Sequence, residues 1–176
     1  MSTVGVSAGA DQLARRLLDR RATEYCHDVP MRAAVAMRTS RAQDVGRFVL
    51  AVGLLTAGLA HFFWAREEFR AQVPSWLAVD DDLVVLVSGG VEIVLGVALI
   101  VARRHRAVVG WATAAFFVAI FPGNIAQYVE ATGAFGLDSD AARAVRLAFQ
   151  PALVAVALWS TGAWSAWRAR RPVLDA

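Results

Sequence analysis

The chain has 176 residues, enough for one domain; 57% of them are apolar, 19% are charged, and the mean hydropathy is +0.47. A soluble domain carries about a quarter charged residues, and here the apolar residues fall in long runs, so the class is a polytopic membrane protein. All 18 basic residues are Arg and they flank those runs, so the pI near 10 speaks for a lipid bilayer as partner and excludes nucleic acid.

Cys26 is the single cysteine. No internal disulfide and no CxxC pair can exist, which excludes a dithiol relay and thiolate ligation of zinc or an iron–sulfur cluster. His27 beside Cys26 is too little for a metal site. Residues 1–44 are polar and Arg-rich. Within them Gln12–Tyr25 is either a short basic helix on an anionic membrane surface, with Leu13 and Leu17 on one face, or part of a cytoplasmic tail without fixed structure. No apolar run follows the first Arg cluster, so no signal peptide is expected, and Met31 and Met37 are alternative starts.

The membrane domain is expected over residues 45–167, with spans at 48–64, 83–101, 107–128 and 147–167. An apolar run of about 19 residues suffices to cross a bilayer as a helix. Pro122 falls inside the third span, where a kink is expected. Pro151 falls in the first turn of the fourth, where proline starts a helix well. Arg is concentrated in the N-terminal segment, between spans two and three, and in the tail 168–176. Both termini are therefore expected in the cytoplasm, under a bacterial-type plasma membrane. In the first outer loop, Phe69, Val73, Trp76 and Leu77 are expected to turn to lipid from a short interfacial helix. Trp64, Trp76, Trp164 and Trp167 read as interfacial anchors.

Glu92 is the most telling residue. It lies near the middle of the second span, where an ionisable group costs at least ~2.5 kcal/mol. Such a group normally turns to other helices or a wet cavity. At ~1.5 Å per residue across a ~30 Å core, His61, Glu92, Asn124 and Gln150 all fall in the outer half of the membrane, one from each span, with Gln127 a turn above Asn124. The functional reading is a polar pocket open to the outside. Glu92 and His61 are its candidate catalytic, proton-handling pair, and Asn124, Gln127 and Gln150 its candidate ligand-binding groups, suited to the head of a lipid-soluble ligand such as a quinone. The plain reading has the amides as interhelical glue worth about 0.6 kcal/mol each, His61 bonded to a lipid headgroup, and Glu92 reaching Arg146. Gly53, Gly58, Gly89, Gly90 and Gly96 permit close helix approach, and His105 is solvated.

The order Gly58-Leu-Ala-His61-Phe62, Ser88-Gly89-Gly-Val-Glu92-Ile93-Val-Leu-Gly96, Phe121-Pro122-Gly-Asn124, Arg146-Leu147-Ala-Phe-Gln150-Pro151 resembles the DoxX family, over residues 48–167. The resemblance implies an all-α bundle of four transmembrane helices. It also implies a link to membrane redox systems, since the family takes its name from a subunit of a thiosulfate:quinone oxidoreductase, while distant relatives are assembly factors. No haem or flavin motif is present, so any redox role would run through a partner subunit or a diffusible quinone. The leading expectation is an accessory or quinone-interacting component of a membrane redox system. A non-catalytic scaffold or assembly factor is the alternative. A small-solute or proton transporter stands third, for want of an inverted repeat.

Overall fold

The computed structural model describes residues 39–136 and 138–170. Its helices are α1 (Arg41–Phe63), α2 (Arg66–Arg70), α3 (Asp81–Val101), α4 (Arg106–Val129), α5 (Asp140–Ser160) and α6 (Ala163–Ala169), with a 3-10 turn at Arg103–His105 before α4. No strand occurs among the described residues. The helices α1, α3, α5, and α4 taken with its preceding turn, are each long and apolar enough to cross a membrane. The fold is an all-α four-helix membrane bundle, as the apolar runs require. The expectations for Gln12–Tyr25, Cys26, His27 and the alternative starts fall outside the described residues.

Polar caps set the helix starts, and they lie earlier than the apolar runs. Ser40 opens α1 with a capping box: its hydroxyl accepts from the Gln43 N–H at 3.2 Å, and the Gln43 side chain accepts from the Ser40 N–H at 2.8 Å. Asp80 accepts from the Leu83 N–H at 2.9 Å to start α3, and Ser139 accepts from the Ala142 N–H at 3.2 Å to start α5. The largest departure from expectation is the fourth span. It runs Asp140–Ser160, seven residues earlier than 147–167. Gly162, at φ 71°, stops it, and α6 follows as a separate short helix. Pro151 therefore sits deep inside α5 and does not begin it, just as Pro122 sits inside α4. Arg143 and Arg146 lie in the first two turns of α5, not in a loop.

Consecutive long helices run antiparallel, and glycine contacts fix their register. A Cβ built on Gly58 of α1 would meet Ile93 and the Gly89 carbonyl of α3 at 2.7 and 2.8 Å, while one on Gly96 would meet Leu55 at 2.8 Å. In a bilayer the tails are as apolar as the side chains, so this close backbone approach is what holds the pair. Between α4 and α5, Gly110 faces Thr161 and Asn124 faces Gln150. The core where the four helices meet is built of Leu50, Ala51, Leu54, Leu95, Leu99, Ala114, Phe117 and Ala157. At one end the chain is closed by the α1–α3 connection, which folds back over the helix ends.

Candidate functional site

Beyond the core, under that connection, the helices line a partly open cavity of about 730 Å³. It continues the core, because Leu50, Leu54 and Phe117 belong to both. His61, Glu92, Asn124 and Gln150 all line it, each from a different long helix and each buried. Gln127 does not. It is 2% exposed and its Nε2 has no hydrogen-bond partner among the described residues.

On one wall, His61 Nδ1 lies 3.3 Å from Glu92 Oε2. The same nitrogen is 2.8 Å from the Ala57 carbonyl oxygen. A carbonyl only accepts, so Nδ1 carries the hydrogen and spends it on Ala57. Among the described residues no donor meets buried Glu92 Oε2 in hydrogen-bond geometry. Glu92 thus lines the cavity with Oε2 itself enclosed and without a donor. Phe69 covers His61, with ring centroids 3.4 Å apart and planes 16° from parallel. This corrects the expectation that Phe69 faces lipid: a stack on an imidazole inside the bundle wins over contact with acyl chains.

The opposite wall carries a directed series of hydrogen bonds. Arg146 Nη2 donates to Gln72 Oε1 at 2.5 Å, and its Nε donates to Asn124 Oδ1 at 3.2 Å. Asn124 Nδ2 donates to Gln150 Oε1 at 3.0 Å, and Gln150 Nε2 donates to the Phe117 carbonyl at 2.6 Å. Phe117 sits one turn before Pro122, where the helix lacks an N–H to give the carbonyl of Val118. A primary amide has two N–H donors, and Asn124 and Gln150 each use one here. One N–H on each is left for a ligand oxygen.

The roof is the connection 64–80. Gln72, Val73, Pro74, Trp76 and Leu77 line the cavity from above. The roof is tied down by Arg66–Asp82 at 3.0 Å, Arg70–Asp82 at 3.4 Å and Ser75–Glu130 at 2.9 Å. The sequence did not single out Gln72, and it offered Arg146 as a distant partner for Glu92 and as the first residue of the Arg146–Pro151 motif, not as a site residue. Glu92 lies beside His61 instead, 3.3 Å from Nδ1. The one signal for Arg146 was its place four residues before Gln150, which puts the two on one face of a helix. Gln72 gave no signal, because a polar residue in a loop is unremarkable until the loop folds inward.

Among the described residues no cluster of three or more His, Cys, Asp or Glu is placed to hold a metal ion. Residues 50–161 match the profile of a family described as a domain of unknown function (DUF8561). The chain belongs to this family. The DUF8561 region spans well over half of the chain and encloses His61, Glu92, Asn124, Gln127, Arg146 and Gln150, so cavity and family domain coincide. Neither a curated protein nor a solved structure matches the chain.

Proposed function

We propose that this DUF8561 protein is a DoxX-like accessory component of a membrane redox system, and that its cavity takes the polar head of a quinone-class ligand. The observation that carries this reading is buried Glu92, with no donor at its Oε2, lining the same cavity as the amides of Asn124 and Gln150. A quinone presents two carbonyl oxygens. The spare N–H groups of Asn124 and Gln150 suit one of them. Glu92, beside His61, suits the other, which must gain a proton when the ring is reduced and lose it on reoxidation. Electrons would come from a partner subunit. The distribution of Arg supports cytoplasmic termini in a bacterial-type plasma membrane, with the cavity end outward.

The test uses Trp76, which lines the cavity. Decylubiquinone added to purified protein in detergent quenches Trp fluorescence saturably, and Trp76→Phe removes most of that quenching. Glu92→Gln keeps the fold and weakens or abolishes the effect. Equal, non-saturable quenching in all three proteins ends the proposal.

A second reading, a scaffold whose polar wall only fixes helix register, is favoured by the unbroken series from Gln72 to the Phe117 carbonyl. It predicts that Glu92→Leu loosens helix association with no consequence for any ligand.

A further inference from the structure

Arg146 is the group that the quinone reading leaves unused. A guanidinium stays charged at any ordinary pH, and one placed in a membrane-crossing helix normally finds a counter-charge. At the same end of the bundle Arg66 and Arg70 share Asp82, and Arg143 holds Asp140 at 2.7 Å. Among the described residues no carboxylate lies within 4.0 Å of Arg146. Glu92, the one acid on the cavity wall, lies beside His61, 3.3 Å from its Nδ1, and not within 4.0 Å of Arg146.

The partners that Arg146 does have are neutral oxygens, on Asn124 and Gln72, and they aim it without cancelling its charge. Phe135 covers the guanidinium, with the ring centroid 5.3 Å from Cζ. Two of the five N–H groups are used by these bonds, which leaves three, with one on Nη1 and one on Nη2 forming the free edge of the fork. That edge matches the two oxygens of a carboxylate. The rest of the cavity near it, Leu50, Leu54, Phe117, Phe149 and Leu153, is hydrocarbon. The volume of about 730 Å³ is that of a small-molecule site.

We infer that Arg146 is an anion seat and that the cavity takes a single-chain lipid-soluble acid, its carboxylate on the guanidinium edge and its tail among these apolar side chains. The inference rests on the reading that the cavity is a ligand site, and it names an occupant other than a neutral quinone.

The experiment titrates purified full-length protein with cis-parinaric acid, a fluorescent single-chain acid, and in parallel with its methyl ester and with decylubiquinone. Saturable binding of the acid, at least tenfold tighter than that of the ester, is expected of the unaltered protein. Arg146→Gln should reduce acid binding by about tenfold or more and bring the acid-to-ester ratio towards one. Arg146→Lys should fall between the two. The acid-to-ester ratio in unaltered protein stands even if a variant misfolds. Equal binding of acid and ester overturns the inference, as does acid binding that is unchanged in a folded Arg146→Gln protein. Displacement of the acid by phosphatidylglycerol but not by oleate overturns the single-chain assignment. Acid binding without quinone binding upholds this inference while the quinone reading fails; quinone binding alone does the reverse.

Discussion

A Cβ placed on Gly89 would stand 2.6 Å from the Cβ of His61. The two helices approach this closely only because Gly89 has no side chain, and that approach is what brings His61 Nδ1 to Glu92, one turn further along α3. Gly89→Ala is expected to force α1 from α3 and to destabilise the bundle by about 1–3 kcal/mol, as overpacking does. A thermal unfolding series in detergent checks this, and an unchanged midpoint contradicts it. Gly90, about 100° round the helix from Gly89, has nothing within 4 Å of its Cβ position. Gly90→Ala should be neutral or slightly stabilising and serves as the matched control.

Asn124 joins three neighbours. Of these, Arg146 donates to it, Gln150 accepts from it, and Gln72 is joined to it through Arg146. Asn124→Leu removes both bonds and leaves the Gln150 oxygen without its donor. Interhelical hydrogen bonds in membranes average about 0.6 kcal/mol each with a ceiling near 1.7, so a total loss of about 1–2 kcal/mol is expected from equilibrium unfolding. Ligand binding should suffer more than stability does.

Phe69 shields His61 from the side of the roof. With Phe69→Ala, His61 becomes reachable from water through the gap beneath the connection. Diethyl pyrocarbonate should then modify His61 several times faster than in the unaltered protein, followed by peptide mass spectrometry. His105, in the solvated 3-10 turn, reacts equally in both and calibrates the reagent. Equal rates at His61 would show that the stack is not what closes the cavity.

Glu92→Leu separates the two functional readings. Removing an ionisable group from mid-membrane recovers at least ~2.5 kcal/mol of insertion cost, and His61 keeps its bond to Ala57. The melting midpoint is therefore expected to hold or rise while quinone quenching is lost. A scaffold would instead lose stability or partners with quenching unaffected.

The single cysteine offers a topology test. Cys26 in intact cells should escape a membrane-impermeant maleimide and should react once the inner membrane is permeabilised. Labelling in intact cells would invert the proposed orientation.

The bundle was legible because hydrocarbon thickness imposes its own period: four apolar runs of sufficient length admit little else. The ends were less so. Hydropathy marks where residues become apolar, whereas helices begin at caps, and Ser40, Asp80 and Ser139 each start a helix ahead of its apolar stretch. The fourth helix moved furthest, since Gly162 cuts an apolar stretch that hydropathy reads as continuous. Depth arithmetic grouped His61, Glu92, Asn124 and Gln150 because rise per residue alone sets their level. It also drew in Gln127, three residues past Asn124, because depth carries no information about rotation around the helix. Arg146 and Gln72 depended on that same shift of α5 and on the inward fold of the connection, which no single-helix property encodes.

The most direct measurement is a density map of the protein purified in native lipid. The account predicts a ligand head between Glu92 on one wall and Asn124, Gln150 and Arg146 on the other, with an apolar tail along Leu54 and Phe117. A map with only water in that cavity, or with the Glu92 side chain turned outward to acyl chains, would contradict it.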